Sequence, residues 1–410
     1  MNELSPSNSR PRVSVVIPTY NQAKYIGQAI ASVREQTFTD WELIIVDDAS
    51  TDATAGVVAQ QAVARMRYVA RPKGERSRAR NAGLELAQGE LVAFLDDDDF
   101  WGPDYLAKQV ANFAAHPELG LSFTAAYDTD PTGKVVRARG LTSPGVLPRA
   151  DFLARNLLGN RIACTSVTMV PMKVLRAMGG FDNAVIQIED WDLWLRIAMR
   201  YSVASIAEPL VYYRRYHAHM PRRLTARHTD EHSLHILEKN FATLTEPALL
   251  ALRPQALGTA CWRGAWNRYM LGDIAGGQAW LAKARDFWPG LFAAPYHIWV
   301  DSLVVLADEL YDIFTPLGEA LDGIDRLFDN LPAWATALRP LRSAAKGQYC
   351  GLHVFSNQIQ GRRQEILQAA PLAVRWRPQW LANRGFLSIW ARAWLGLGWS
   401  HPSQPQFNQA

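Results

Sequence analysis

The chain has 410 residues, 49% of them apolar and 20% charged, with a net charge of +4. This composition supports packed cores for two or three domains, excludes global disorder, and excludes a dedicated nucleic-acid binder. Cys164, Cys261 and Cys350 are too few and too far apart for a disulfide framework and fit a reducing compartment.

The N-terminus, MNELSPSNSRPR, is polar and has no apolar h-region. Residues 1–10 therefore read as a disordered tail and not as a signal peptide. No run of 18 or more apolar residues occurs, so no spanning helix is expected. The expected location is cytoplasmic, with peripheral attachment at the inner face of a membrane left open.

Val13–Pro18 is a β-branched run that reads as a buried strand ended by Pro18. Asn21–Val33 carries Ile26, Ala29, Ile30 and Val33 at helical spacing. Trp41–Val46 is a second strand, with Asp47 and Asp48 at its end. Ser50, Thr51 and Asp52 offer an N-cap for a helix through Ala64. Met66–Val69 is a third strand and Ser77–Ala87 a helix. Leu91–Leu95 is a fourth strand, and it runs directly into Asp96–Asp99.

Strand and helix alternate here with acids at two strand ends, which is an α/β pattern. Ligands of such sheets bind outside the C-terminal strand ends, where Pro18–Asn21, Asp47–Asp48 and Asp96–Asp99 would converge. Four adjacent carboxylates repel one another, and a divalent cation among them would relieve that. PTYNQAKYIG stands where a dinucleotide-binding G-x-G-x-x-G would be, and no P-loop occurs.

Further on, Pro103–Ala115 is a helix, Leu119–Ala126 a strand, and Asp130–Gly133 a turn leading to a hairpin with Val135 and Val136. Ala150–Leu158 is helical, Thr165–Val170 a strand, and Lys173–Met178 a short helix ended by Gly179-Gly180. In IEDWDLWLRIAMR, Leu193, Trp194, Ile197 and Ala198 form an apolar face. Glu189 and Asp190 fall at that helix's start, where the macrodipole favours carboxylates. Val203–Ile206 and Leu210–Tyr213 are strand-like. Trp101 suits either ligand stacking or core; Trp194 reads as core.

Together these segments resemble glycosyltransferase family 2 on the GT-A fold. The motifs are VSVVIPTYNQ, SVREQTFTDWELIIVDDAS, RARNAGLELAQGELVAFLDDDDFW, the GGFD of Gly179–Asp182, EDWDLWLRIA and YYRRYH, in that family's order and spacing. The resemblance covers Pro11 to His219. It implies a Rossmann-like mixed sheet in a catalytic domain over residues 11–222, followed by an all-α domain over 223–410.

Residue roles follow from the resemblance. Pro18, Thr19 and Tyr20 would line the nucleotide base and ribose, and Asp48 would accept from the base N–H. Asp96 and Asp98 stand at the D-x-D motif, with Asp98 as metal ligand and Asp97 near the ribose or diphosphate. Arg76 and Arg80 stand near the nucleotide-facing loop, where one would hold the diphosphate. Asp190 corresponds to the catalytic base, with Glu189 beside it. His217 corresponds to a His that completes the metal site in some members. Asp99 is expected to serve structure.

The implied reaction is inverting transfer of a hexosyl-type sugar from a nucleotide-diphosphate donor to a hydroxyl acceptor. The implied cofactor is Mg²⁺ or Mn²⁺. The acceptor would be a polysaccharide, a lipid-linked saccharide or a glycan, as in polysaccharide biosynthesis. A sugar-1-phosphate nucleotidyltransferase is one alternative, but it would show a Gly-rich loop with Arg where PTYNQ stands. A non-catalytic nucleotide-sugar-binding scaffold is another, against which Asp98 and Asp190 argue.

After Pro221 the strand patterns stop and eleven of the fifteen Trp follow. Gly272–Phe292 and Gln360–Phe386 look alike, each running helix, basic residue, aromatic, Pro. They weakly resemble tetratricopeptide helices, alongside an ordinary helical bundle as the other reading. Trp390, Trp394 and Trp399, with Arg392, suit an interfacial helix, a dimer face or core. A membrane surface or a protein is therefore the expected partner of the C-terminal helices.

Overall fold

A computed structural model gives the fold. It describes residues 10–139, 144–215, 222–296, 298–303, 317–359 and 361–397. The chain divides into two compact units, Met1–Ala256 and Leu257–Ala410.

The first unit is built on a ten-stranded mixed sheet. Its strands are β1 (Val13–Thr19), β2 (Trp41–Asp47), β3 (Met66–Ala70), β4 (Leu91–Phe94), β5 (Phe100–Trp101), β6 (Leu119–Thr129), β7 (Val135–Arg139), β8 (Gly145–Leu147), β9 (Thr168–Pro171) and β10 (Ser202–Arg214). The order is β3-β2-β1-β4-β9-β6-β10-β5, with β7 beside β6 and β8 beside β10. The four strands β3, β2, β1 and β4 run parallel. β9 is antiparallel to both β4 and β6, which makes the sheet mixed. Every residue of β1, β2 and β4 is buried, as continuous β-branched and apolar runs in covered parallel strands require.

The helices are α1 (Ile26–Arg34), α2 (Thr54–Gln60), α3 (Glu75–Leu86), α4 (Tyr105–Ala115), α5 (Arg149–Leu157), α6 (Met172–Met178), α7 (Glu189–Ala198), α8 (Arg222–Phe241) and α9 (Pro247–Leu250). α3 lies so close on β1 that a Cβ added at Gly83 would meet Val16 at 2.4 Å. The Gly179-Gly180 stop after α6 uses left-handed φ values of 74° and 72°.

Four of the differences from the sequence expectation have a visible physical cause. First, Pro18 does not end β1, which continues to Thr19. The Val16 carbonyl accepts from Leu95 on the β4 side and the Thr19 carbonyl from Asp48 on the β2 side. By that alternation the missing N–H of Pro18 faces β4 beyond its last residue, where no ladder bond is lost. Second, Thr165–Val167 is a 3-10 turn before β9. It is stabilised by the Thr168 hydroxyl donating to the Thr165 carbonyl at 2.6 Å. Third, the two strand-like stretches after residue 202 form one strand, β10, with bulges around Pro209.

Fourth, the α/β unit does not close at residue 222. α8 packs on α7 through Asn240, which donates to Asp192 at 3.1 Å, and Lys239, which pairs with both Asp182 and Asp192. Glu246 just before α9 pairs with Arg149 of α5.

The second unit is all-helical, and the resemblance between its two stretches is structural as well. α10 (Arg253–Met270) and α11 (Ile274–Phe287) are followed by a 3-10 turn over Pro289–Phe292. Helices Arg342–Ile359 and Arg363–Trp376 are followed by a 3-10 turn over Pro378–Ala382. Landmarks of the two copies are offset by 89 residues. Left-handed Gly272 matches Gly361, and Pro289 matches Pro378. A Cβ at Gly258 would strike Trp288, and one at Gly347 would strike Arg377, the same close approach in each copy. Trp262, Trp266 and Trp299 are fully buried, so much of the Trp excess is core.

Candidate active site

The C-terminal ends of β1, β2 and β4 meet at one edge of the sheet. Past β1, Thr19 is buried and Tyr20 is 44% exposed, with the Lys73 ammonium 3.2 Å from its ring centroid. Asn21 takes a left-handed φ of 54°. This turns its side-chain oxygen to accept from the Thr51 N–H at 2.7 Å, joining the β1 and β2 loops. Pro18 is a buried strand residue.

Past β2, Asp48 is buried and its two oxygens accept from the N–H groups of Gly74 (2.8 Å) and Glu75 (2.9 Å), at the start of α3. Lys73 lies 3.3 Å away and Arg71 3.9 Å. A helix N-terminus and two cations thus hold Asp48 and the loop before α3 together. Asp47 is turned inward, accepting from the Ser50 N–H and the Tyr68 hydroxyl, whose pKa is pushed up to about 12 by burial and by that carboxylate.

Past β4 the acid run alternates. Asp97 and Asp99 are buried, whereas Asp96 and Asp98 are half-buried at the cleft. Asp97 accepts from the Tyr20 N–H at 3.3 Å and lies against the Thr19 hydroxyl. Asp99 accepts from the Ser166 hydroxyl at 2.6 Å and the Arg214 N–H at 2.9 Å. Both buried carboxyls are raised well above the usual carboxylate range, by burial first and then by Asp98 and Asp96.

α7 brings the third group of carboxylates. Ile188, which precedes it, takes a left-handed φ of 53°, a costly conformation for a β-branched residue. Arg80, on α3, is 2% exposed and donates to Glu189 through one terminal nitrogen and to Asp96 at 2.6 Å through the other. Glu189 and Asp96 hold the Arg80 guanidinium well above its ordinary pKa despite burial. Asp190 accepts from the Trp191 N–H at 2.7 Å. Its carboxyl is pushed up to about 7, by burial and then by Glu189, with Arg80 opposing.

The edge therefore gathers Thr19, Tyr20, Asp48, Asp96, Asp97, Asp98, Arg80, Glu189 and Asp190. Arg76 is exposed on α3, and Glu189, Asp96 and Asp98 are close enough to raise its pKa. His217 lies outside the described residues. Trp101 is core: it is 3% exposed, stacks on Tyr105 at 4.1 Å and donates to the Ser166 carbonyl at 2.8 Å. Trp194 is core as well, fully buried on α7.

Two residues that organise the acid run were given no role by the sequence. The Ser166 hydroxyl accepts from the Asp96 N–H at 3.0 Å while donating to Asp99. Arg214 donates to the Asp98 carbonyl and to Gln28 of α1 at 2.6 Å. Its place in the YYRRYH run was the available signal for the second. Lys73, in the loop between β3 and α3, carries no motif signal in the sequence.

Carboxylate oxygens at the cleft are hard donors and suit Mg²⁺ or Mn²⁺. Among the described residues no three His, Cys, Asp or Glu side chains form a ready cage. A cavity of about 630 Å³ lined by Arg12, Glu90, Lys173 and Arg176 lies at the opposite strand ends, away from this chemistry.

Residues 14–175 match the family model described as glycosyl transferase family 2. TuaG of Bacillus subtilis, named as a glycosyltransferase of teichuronic acid biosynthesis, is 38% identical over 161 residues, 37% of this chain and 61% of that protein. An uncharacterized glycosyltransferase of Nostoc is 41% identical over 113 residues, 27% of this chain and 35% of that protein. Chondroitin synthase of Escherichia coli is 27% identical over 190 residues, 46% of this chain and 26% of that protein. The chain thus spans less than two thirds of each of these relatives. Among solved structures, S. aureus TarS 1–349 in complex with UDP aligns with a TM-score of 0.49 at 17% identity, covering 85% of this chain and 91% of that chain.

Proposed function

The chain carries a family 2 glycosyltransferase domain of GT-A type followed by a helical region, and on that premise we propose an inverting transfer of a hexosyl group from a nucleotide-diphosphate sugar to an acceptor hydroxyl. One observation carries the reading. Arg80 joins Asp96, at the strand end suited to a cation and diphosphate, to Glu189, which adjoins the Asp190 carboxylate.

In this reading Tyr20 and Asp48 receive the base and ribose, and Asp97 fixes the Tyr20 backbone against them. Asp96 and Asp98 would hold Mg²⁺ or Mn²⁺ with the donor's diphosphate oxygens, and His217 is the candidate third ligand. The ion, when bound, neutralises charge on the leaving diphosphate. Arg76, exposed beside the same carboxylates, is the free guanidinium for the diphosphate, because Arg80 is already engaged twice.

Asp190 takes the proton of the acceptor hydroxyl as its oxygen attacks the anomeric carbon. The carbon–oxygen bond to the diphosphate breaks on the opposite face, and that electron pair leaves with the nucleoside diphosphate. The sugar is thereby inverted. A base poised near neutrality is well matched to this task. Glu189, buried and paired, positions Asp190 and keeps its pKa up. A saccharide acceptor in cell-surface polysaccharide assembly is supported by the relatives' names. The buried thiols Cys164, Cys261 and Cys350 support a cytoplasmic reaction.

The test is release of nucleoside diphosphate across a panel of nucleotide sugars with and without Mn²⁺. Asp98→Ala and Asp190→Ala are each expected to abolish acceptor-dependent turnover. Wild-type rates in both variants would overturn the mechanism.

A further inference from the structure

The acids of the second unit stop at Glu365. From residue 366 to 410 the sequence holds four Arg and five Trp and no Asp, Glu or Lys. Within that stretch lies the helix Arg384–Leu395, which buries Phe386, Ile389 and Ala393 in its own unit. Its other side is apolar and uncovered: Leu387 is 36% exposed, Trp394 72%, Leu395 60% and Leu397, just beyond, 50%. Leu387, Trp390, Ala391 and Trp394 follow the 3, 4, 7 spacing of one helical stripe. Arg384 and Arg392 are exposed along its border.

Both ends of the helix are held. Asn383 caps it by accepting from the Phe386 N–H at 2.9 Å. Arg363 donates to the Ala393 carbonyl at 2.6 Å and the Trp394 carbonyl at 3.3 Å. Gly396 closes the C-terminus in the left-handed region. Trp394 and Leu395 are thus presented outward from a fixed backbone.

We infer that this stripe docks on an anionic lipid surface. Two features distinguish that occupant from a protein face. Trp and Leu sit beside Arg with no acid in the segment, so the whole strip complements negative headgroups. Indole rings suit the depth of the headgroup layer.

The test is co-sedimentation of the full chain with vesicles of phosphatidylcholine alone and of phosphatidylcholine with phosphatidylglycerol. Binding is expected on the mixed vesicles, with at least about tenfold weaker partitioning for the double variant Trp394→Glu, Leu395→Glu. Arg384→Glu or high salt should weaken it severalfold. Both changed side chains of the double variant are largely exposed, so its circular dichroism should match the wild type. Failure to bind the mixed vesicles would overturn the inference, as would equal binding by the double variant. A concentration-dependent dimer that the double variant abolishes would overturn it too, by assigning the stripe to a second copy of the chain.

Discussion

Arg80 lies 2.6 Å from Asp96 while its second terminal nitrogen holds Glu189. The guanidinium is 2% exposed, so little water screens the arrangement. One planar side chain thus fixes the spacing between the acid run after β4 and the start of α7. Two predicted roles, metal-diphosphate and base, meet through a residue that the sequence offered only as a diphosphate contact.

Arg80→Ala should destabilise the domain by about 3–5 kcal/mol, because Glu189 and Asp96 lose their buried partner. Denaturant unfolding would measure this. Adding Glu189→Gln to that variant should recover part of the loss. Arg80→Lys should rescue poorly, since an ammonium does not span two carboxylates in the same plane.

Asp190→Asn should lower kcat by about 10²–10⁴-fold at neutral pH. In the wild type, kcat/KM should rise with pH and level off above about 7, since only the deprotonated carboxylate accepts a proton. A flat profile between pH 5.5 and 8.5, on the order of the range His and raised carboxyls titrate in, would count against the assignment. The same shift has a stability consequence. The folded carboxyl keeps a proton that the unfolded one, at 3.8, has released. Folding stability from this group therefore falls as pH rises from about 4 to about 7 and is constant above.

Ser166→Ala should cost about 1–3 kcal/mol of stability by removing one of the two donors to buried Asp99, with only the Arg214 N–H remaining, and by leaving the Asp96 N–H without its acceptor. Weaker activation by Mn²⁺ should accompany it, measured as a higher metal concentration for half-maximal rate. Ser166→Thr, which keeps the hydroxyl, should restore most of both.

Asp48→Ala should raise KM for the nucleotide sugar more than it lowers kcat, since Asp48 orders the loop over Gly74 and Glu75 far from the base Asp190 in role. Steady-state kinetics on the preferred donor would separate the two. An unchanged KM would remove Asp48 from the nucleotide subsite.

Chelation with EDTA should abolish turnover, and excess Mn²⁺ should restore it without refolding. Hard carboxylate donors at Asp96 and Asp98 underlie that expectation.

Much of the first unit was legible because its signals are local. Apolar β-branched runs broken by acids mark parallel strands and their functional ends, and helical spacing marks α1, α3 and α7. Pro18 misled because strand termination depends on which neighbour its missing N–H faces. The unit boundary misled because α8 and α9 are held by Asp192, Asp182 and Arg149, long-range partners that no window contains.

The sequence by itself determined the α/β class, the placing of carboxylates at strand ends, and the candidacy of Asp96, Asp98 and Asp190. The first two depend on residue type and short-range period, and the third on the resemblance of the motifs to the family. Only the tertiary structure decided how the four Asp divide: Asp97 and Asp99 turn inward to Tyr20, Ser166 and Arg214, while Asp96 and Asp98 stay at the cleft. It also decided that Arg80 is a buried bridge and Arg76 an exposed cation. The reason is physical. Burial and pairing depend on which distant segments arrive at each side chain, and four identical residues in a row carry no trace of that difference in their own letters.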